Sequence, residues 1–375
     1  MSNQKKKRIL LFYASLGSGH YSAAKAIQAA LLEKCSNCEV QLFDAFLPSM
    51  PRMSFTDFLS SLSSHVFPLI YDHIWKHGWF KFIYTFFASR SRIQQHIENI
   101  MMGYTPDIVV CTQSLPCSVL AAKRQEPRIN LIAVSTDYGF HPFWSRAGVD
   151  SYCVASNSDR EALLSEGIPP EDVHVTGIPI SRRNVTVADG AEVSLRRVII
   201  LAGGSKSAPY RSIQAKVRAL IDIIIDPEWR GVEWRLVFGE DVRDRINAIK
   251  KCANHINIHI HGFIEDLSEL LLKMDLIITK PGGLITAEAL AAGVPIGLLT
   301  KGYGQERANA EHVLAGEAGM LLDDVGLMEK NLKYLYKNPD KLADLRRNAA
   351  RLGEPGAAND VADLILSQSS SRTRR

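Results

Sequence analysis

The chain has 375 residues, which is long for one hydrophobic core and suits two α/β domains. Hydrophobic residues make up 46% of it and charged residues 22%, as in a soluble globular protein. A net charge of +4 does not indicate a nucleic-acid-binding protein. Basic residues do gather at the two ends, in the run from Lys5 to Arg8 and at Arg372, Arg374 and Arg375. They serve either as solubilising tails or as an attraction to an anionic membrane surface.

Two absences in the sequence bear on where the protein works. The basic N-terminal run leads into only a short apolar segment, so no signal peptide is expected. Nor is there an uninterrupted apolar run of about 18 residues, the minimum for a spanning helix. We therefore expect a cytoplasmic protein that is at most peripheral at the membrane. Cys35 and Cys38 form a lone C-x-x-C pair, and we interpret them as ordinary reduced thiols rather than a redox or zinc site.

Short apolar segments alternate with helical patterns along the chain, which predicts the α/β class with parallel sheets covered by helices. In the first half, strands are predicted at 8–14, 40–43, 107–111, 131–135 and 151–155, and an amphipathic helix at 22–35. A polar stretch over 177–189 is typical of an interdomain linker. Strands are then predicted at 197–201, 234–238, 256–261, 276–279 and 294–298, with helical sequence after Met328.

These elements divide into two domains that we expect to face each other across a cleft. The N-terminal domain is predicted over 1–180 and the C-terminal domain over 195–355. Residues 356–375 hold a helical stretch that crosses back to the first domain, followed by the basic tail.

One segment interrupts the alternation with an unusual density of aromatic residues. Eleven of the 33 residues over 55–87 are aromatic, against 8% in the whole chain, and Lys76, Lys81, Arg90 and Arg92 lie among or just after them. Such a mixture on a helical insert, about 52–95, suits the interface of a bilayer. The alternative is an inserted helical pair that packs on its own domain.

The first glycine-rich loop follows the first predicted strand. Gly17 and Gly19 precede His20 at the start of a helix, where an anion or partial negative charge is favoured. A dinucleotide fingerprint would place a third glycine where the chain has Ser22, so that interpretation is weak. His20 lies at the carboxyl edge of the sheet and is a candidate base for a hydroxyl nucleophile, or else a helix-capping or exposed histidine.

A second glycine loop, Gly203-Gly204, ends the strand over 197–201. It resembles a phosphate loop only superficially, because Ile200 and Ser205 occupy the positions where that motif needs glycine. We exclude an ATPase and keep a turn that contacts phosphate or sugar.

The strongest pattern lies in the second half, where Lys280-Pro281-Gly282-Gly283 ends a strand and a helix follows from Thr286. A glycine loop before a helix N-terminus offers backbone N–H groups and a positive dipole end to a diphosphate.

Polar residues that can hydrogen-bond ribose or sugar hydroxyls follow this loop. Glu288, on the first turns of the helix, is a candidate partner for ribose hydroxyls, and Gln305, Glu306 and Asn309 are candidates for sugar hydroxyls. A helix-start charge at Glu288 and a surface loop at Gln305 are the alternatives.

Taken together, these segments resemble the diacylglycerol glycosyltransferases of glycosyltransferase family 28, and more distantly the transferase that adds N-acetylglucosamine to lipid I. The resemblance covers about residues 8 to 367. The segments that carry it are GSGHYSAAKAI from Gly17, STDYGFHPFW from Ser135, VTGIPI from Val175, HGFIEDLSELLLKMDLIITKPGGLITAEALAAGVP from His261, and GQERANA from Gly304.

The resemblance implies a GT-B fold, meaning two Rossmann-like domains with parallel sheets, and a UDP-sugar bound by the C-terminal domain. On the donor side it implies contacts from Phe263 and Ile264 to the uracil, from Gly282 and Gly283 to the diphosphate, from Glu288 to the ribose, and from Gln305 with Glu306 to the sugar. On the acceptor side His20, Asp137, His141 and Trp144 match motif positions of the family, and the loop glycines Gly17 and Gly19 are added as candidates from their place before His20. The chain departs from the family at Tyr303, where many relatives have proline, and in the loop at Gly203-Gly204-Ser205.

The expected reaction is an inverting transfer of a hexose from UDP-glucose or UDP-galactose to a membrane lipid such as diacylglycerol. His20 is the predicted base and Asp137 the alternative; no metal ion or cofactor is expected, and no nucleic acid. A UDP-sugar epimerase of related fold and a non-catalytic membrane-surface protein remain the competing hypotheses. The choice of sugar and lipid, the number of sugars added and the oligomeric state are left open by the sequence.

Overall fold

A computed structural model describes residues 6–15, 19–46, 92–122, 129–144, 146–181, 193–201, 208–237, 257–262, 264 and 267–368. These residues form two compact units. The first holds the described residues between 6 and 181 together with 356–368, and the second holds those between 193 and 355. No described helix is long and apolar enough to cross a membrane.

The first unit is built on a six-stranded parallel sheet with the strand order β2-β1-β3-β4-β5-β6. Its strands are β1 (Lys7–Tyr13), β2 (Cys38–Asp44), β3 (Ile108–Cys111), β4 (Asn130–Val134), β5 (Ser151–Val154) and β6 (Val173–Val175). Its helices are α1 (Gly19–Lys34), α2 (Arg92–Tyr104), α3 (Ser114–Ala121), α4 (Asn157–Ser165) and α11 (Ala357–Ser367), with a 3₁₀ turn at Pro170–Asp172.

The inner strands of this sheet are buried on both faces, which explains why β3, β4 and β5 are almost continuously apolar rather than alternating. In β1, Leu10 and Phe12 pack into the core on one face, while Ile9 and Leu11 pack into the core on the other. Successive side chains of a strand point to opposite faces, so one apolar run supplies two cores.

The C-terminal helix α11 packs on α1 in the first unit. Val361 and Ile365 share a core with Ile27 of α1, and small alanines on both helices allow the close approach. At the ends of this contact, Lys34 Nζ lies 2.5 Å from Asp363 Oδ2, and Lys7 Nζ donates to the Gln368 carbonyl at 2.7 Å.

The second unit repeats the architecture with the strand order β12-β11-β10-β7-β8-β9, again parallel. Its strands are β7 (Arg197–Leu201), β8 (Glu233–Val237), β9 (Ile258–His261), β10 (Leu276–Thr279), β11 (Ile296–Leu298) and β12 (Gly319–Leu321). Its helices are α5 (Ala208–Ile224), α6 (Ser268–Leu271), α7 (Gly283–Ala291), α8 (Gln305–Ala315), α9 (Val325–Lys337) and α10 (Pro339–Leu352), with a 3₁₀ turn at Pro227–Gly231.

An aspartate at the amino end of a strand fixes the register of a neighbouring strand in both units. Asp107, just before β3, accepts the Arg8 N–H at 2.8 Å, and Asp275, just before β10, accepts the Arg197 N–H at 2.8 Å. Asp275 is 7% exposed and also pairs with Arg346, so its carboxylate is compensated although it is buried.

The α/β prediction is confirmed, and the corrections to it are local. The helix predicted from Thr286 begins three residues earlier, at Gly283. Edge strands β6 and β12 were not predicted, because three residues are too few to show a periodicity. The proposed linker over 177–189 lies inside the described residues only as far as 181.

The interpretation of Cys35 and Cys38 as reduced thiols is wrong for the structure, which joins them in a disulfide. Cys35 directly follows α1 and Cys38 begins β2, so the tight turn between the two elements brings their Cα atoms to 5.5 Å, within disulfide range. Cys111, Cys117 and Cys153 are buried free thiols.

Candidate functional site

The candidate acceptor site lies at the carboxyl edge of the first sheet, where the strand order changes direction. β1 lies between β2 and β3, so the chain leaves β1 and β3 toward opposite sides and opens a crevice there. His20, on the first turn of α1, meets Thr112 at the end of β3 and Thr136 at the end of β4. Three segments far apart in sequence thus converge on one imidazole.

The contacts of His20 determine which ring nitrogen carries the proton. Nδ1 lies 2.8 Å from the Thr112 carbonyl oxygen, which can only accept a hydrogen bond, so Nδ1 is the protonated nitrogen. The Thr136 hydroxyl lies 3.0 Å from the same Nδ1. The Thr112 hydroxyl in turn donates to the His20 carbonyl at 3.0 Å and holds the backbone. Neutral His20 therefore has its lone pair on Nε2, as a general base requires.

Burial keeps this imidazole in its neutral form. Desolvation lowers the pKa of His20 below its ordinary value of 6.5, and the hydrogen bond to the Thr112 carbonyl opposes that shift only in part. At neutral pH the ring is consequently ready to accept a proton.

Asp137, the alternative base, is placed beside His20 by the chain itself, because it directly follows Thr136. It is half-buried, its N–H lies 3.4 Å from the Ser135 hydroxyl oxygen, and that hydroxyl donates to the Asp137 carbonyl at 2.6 Å. The turn after β4 therefore presents Asp137 and Thr136 at the same edge as His20.

The loop after Asp137 holds the two other predicted acceptor residues in different environments. His141 is half-buried, and its Nδ1 accepts the Phe143 N–H at 3.1 Å, which leaves Nε2 as the donor nitrogen of the neutral ring. Trp144 is 2% exposed and stacks on Phe140, with 5.5 Å between the two ring centroids. In the structure Trp144 is thus a core residue that supports the loop, and His141 has the more accessible side chain.

Two parts of the predicted acceptor site lie outside the described residues, namely Gly17 and the aromatic insert up to residue 91. Gly19 is described and is the first residue of α1.

The candidate donor site is at the carboxyl edge of the second sheet. Gly282 caps α7 with an extended backbone, and the Thr286 N–H donates to its carbonyl at 3.0 Å to close the first helical turn. The N–H groups of residues 283–285 therefore precede the first helical hydrogen bond and have no helical carbonyl to pair with. Such N–H groups, together with the positive end of the helix dipole, can bind an anion, and the sequence predicts a diphosphate at this place.

A second helix N-terminus lies beside the first. α8 begins at Gln305, immediately after the loop that follows β11, the strand paired with β10. The loop before α8 turns through Gly302 and Gly304, with φ values of 66° and 55°. Such backbone favours glycine, and at Gly302 an added Cβ would lie 2.5 Å from Glu306 Cβ. The turn thus packs directly on the first turn of α8.

The two loops are joined by polar contacts from α8. Lys280 Nζ forms an ion pair with Glu306 Oε1, with side chains 24% and 26% exposed respectively. Asn309 is fully buried, and its amide donates to the Pro281 carbonyl at 3.0 Å. Asn309 therefore fixes the loop of Lys280, Pro281 and Gly282 from its buried side, and of Asn309 and Glu306 only Glu306 has exposed side-chain surface.

The remaining predicted donor residues fall as follows. Glu288 lies in the second turn of α7, Gln305 at the start of α8 and Ile264 after β9. All three side chains are half-buried. Gly203, Gly204 and Phe263 lie outside the described residues.

The structure also brings in residues that sequence reasoning missed. Lys216 on α5 donates to the Leu299 carbonyl at 2.8 Å, and the Thr300 hydroxyl accepts the Gly302 N–H at 3.0 Å. Both stabilise the turn before α8. Their partners are backbone atoms, as is the Thr112 carbonyl that orients His20, and no residue pattern marks such contacts in a sequence.

Comparisons with known proteins find similarity along nearly the whole chain. The model of the Monogalactosyldiacylglycerol (MGDG) synthase family matches residues 20–180, which include His20 and the loop from Asp137 to Trp144. A processive diacylglycerol beta-glucosyltransferase of Bacillus cytotoxicus is 25% identical over 384 aligned residues, covering 98% of this chain and 96% of that protein.

Two solved structures share the two-domain arrangement along the chain. MurG of Acinetobacter baumannii has a TM-score of 0.61 at 16% identity and covers 96% of this chain and 100% of its own. The UDP-GlcNAc 2-epimerase of Neisseria meningitidis has a TM-score of 0.61 at 13% identity, with the same two coverages. At these identities the likeness shows the fold alone, which is GT-B.

The family match in the first unit, the relative that spans nearly the whole chain and the GT-B fold point in the same direction. The chain is similar to diacylglycerol glycosyltransferases along nearly its whole length.

Proposed function

We propose that this enzyme moves a hexose from a UDP-sugar to the hydroxyl of a diacylglycerol-type membrane lipid, with inversion at the anomeric carbon. The observation that carries the proposal is the tautomer of His20: its Nδ1–H is committed to the Thr112 carbonyl, so Nε2 accepts a proton at the sheet edge of the unit that matches the MGDG synthase family.

The reaction is a single displacement. The lipid hydroxyl oxygen forms a bond to the anomeric carbon while the bond from that carbon to the β-phosphate oxygen breaks. The hydroxyl proton goes to His20 Nε2, and UDP leaves with the bonding electrons. His20 is preferred over Asp137 because two defined contacts fix its ring and burial lowers its pKa, which keeps it neutral.

The donor half rests on the first turn of α7 and on Lys280. The charge that develops on the leaving diphosphate meets preorganised N–H groups, which stabilise it without reorganisation, and the ammonium group of Lys280 adds to that stabilisation. Glu288 is then assigned to the ribose, and Gln305 with Glu306 to the sugar. No metal ion or cofactor is needed in this scheme, and turnover is expected to persist in a chelator such as EDTA.

The acceptor and the location follow from the lipid-type relatives and the composition. The relative named above is a diacylglycerol beta-glucosyltransferase, so UDP-glucose and diacylglycerol are the first pair to try, with UDP-galactose as the matched alternative. The aromatic residues over 55–87 and the basic ends suit attachment to the cytoplasmic face of an anionic membrane.

The proposal is tested by a screen of UDP-hexoses against lipid acceptors in vesicles, with mass detection of the lipid products. The expected result is a hexosyl lipid that appears only when both substrates are present. Epimerised UDP-sugar formed without any acceptor would favour the epimerase hypothesis instead. Vesicle binding without UDP affinity would favour a non-catalytic membrane protein.

A further inference from the structure

The Glu306 carboxylate, which we assign to the sugar, forms an ion pair in the structure with Lys280 of the loop before α7. Lys280 directly follows β10 and precedes α7, and Glu306 lies on the first turn of α8. We propose that Glu306 discriminates between UDP-sugar and free UDP by competing with the diphosphate for Lys280. This inference rests on the proposed function, since it assumes that the diphosphate binds at the N-terminus of α7.

The ion pair with Glu306 and a bound diphosphate both require the Lys280 ammonium group. Lys280 directly precedes Pro281 and Gly282, and Gly282 caps the helix whose first N–H groups form the anion site. A lysine is a compact point charge with three donors, and it exchanges readily between carboxylate and phosphate partners. A diphosphate at α7 therefore draws Lys280 away from Glu306.

When Lys280 moves to the diphosphate, Glu306 cannot follow it by a movement of its backbone. An added Cβ at Gly302 would meet Glu306 Cβ at 2.5 Å, so the turn holds the base of this side chain in place. Asn309, one helical turn further on, ties α8 to the Pro281 carbonyl at 3.0 Å. The carboxylate thus responds by rotating about its own side-chain bonds, and its helix stays where it is.

Free UDP and a UDP-sugar leave the Glu306 carboxylate in different environments. Free UDP takes Lys280 and leaves the Glu306 carboxylate, which is only 26% exposed, without its cation near a bound anion. A UDP-sugar also takes Lys280, but its hexose offers hydroxyl donors to the released carboxylate. The loss of the ion pair is compensated in the substrate complex and uncompensated in the product complex, which favours release of UDP after transfer.

The test is titration calorimetry of UDP and UDP-glucose in the absence of acceptor, with wild type, Glu306→Gln, Lys280→Met and the double variant. We expect Glu306→Gln to bind UDP about two- to fivefold more tightly, the size of a partly exposed ion pair. We also expect its preference for UDP-glucose over UDP to fall. In the Lys280→Met background, Glu306→Gln should no longer improve UDP binding.

Glu311→Gln is the matched control, because Glu311 is exposed on the same helix and its change removes the same charge. It should leave the preference for UDP-glucose over UDP at the wild-type value. The inference is overturned if Glu306→Gln binds UDP no better than wild type, or if the gain persists without Lys280. If wild type binds both ligands, that failure leaves the proposed function intact; if it binds neither, the proposed donor class fails and this inference with it.

Discussion

Gly302 provides a sharp test of how the turn before α8 positions the donor residues. Its φ of 66° costs an alanine about 1 kcal/mol, and an added Cβ would lie 2.5 Å from Glu306 Cβ. Since carbon atoms prefer about 3.5–4.0 Å, the first turn of α8 must shift by roughly 1 Å. We expect Gly302→Ala to lose about 2–3 kcal/mol of unfolding free energy, and kcat/KM for the UDP-sugar to fall roughly 10- to 100-fold.

The matched control is Gly167→Ala in the first unit. Gly167 has a φ of 87°, but an added Cβ there meets nothing within 4 Å. This variant carries the backbone strain without a displacement, so we expect a loss of about 1 kcal/mol in urea unfolding and unchanged kcat/KM. If Gly302→Ala is as active as Gly167→Ala, the turn does not position Glu306 and the reasoning is refuted.

Three further predictions follow from buried polar groups. Asn309→Leu leaves the Pro281 carbonyl without its donor and should lose about 1–3 kcal/mol of stability and weaken UDP binding, as measured by urea unfolding and calorimetry. Asn348→Leu, which removes an exposed amide contact, should change neither quantity appreciably. Burial lowers the pKa of His312 from 6.5 to about 4. The unfolded chain therefore takes up this proton first as the pH falls from 6.5, and up to about 3 kcal/mol of stability is lost by pH 4. His312→Leu should flatten that part of the stability profile, and an unchanged profile would contradict the assignment. The lowered pKa of His20 places the acid limb of kcat/KM below pH 6.5, with a plateau at neutral pH; an inflection above pH 7 would argue for a different base.

Much of the fold could be predicted from sequence because its inner strands are buried on both faces. Continuous apolar runs such as those of β7 and β10 are read directly, and the observed bounds of both strands equal the predicted ones. The sequence predicts the start of α7 three residues late, because glycines such as Gly282 and Gly283 favour loops. In the structure Gly283 is already helical. A glycine preference for loops was overridden there by the cap geometry.

The candidate site was predictable to the extent that glycine loops and charged residues mark strand ends. The pairing of Lys280 with Glu306 was not, because residues 26 apart in sequence meet only through the parallel pairing of β10 and β11. The residue type of Asn309 predicts a sugar contact, whereas in the structure its amide is fully buried and donates to the Pro281 carbonyl. Polar residue types predict a site, and burial decides which of them can reach a ligand.

The most direct test of the central claim is to measure lipid glycosylation and UDP binding side by side in wild type and His20→Ala. We expect the variant to bind UDP as wild type does, while formation of hexosyl lipid falls about 10²- to 10⁴-fold, the usual contribution of a general base. A variant that keeps near wild-type turnover would remove His20 from the mechanism and leave Asp137 as the remaining candidate. A wild-type protein that forms no hexosyl lipid with any UDP-hexose would contradict the account as a whole.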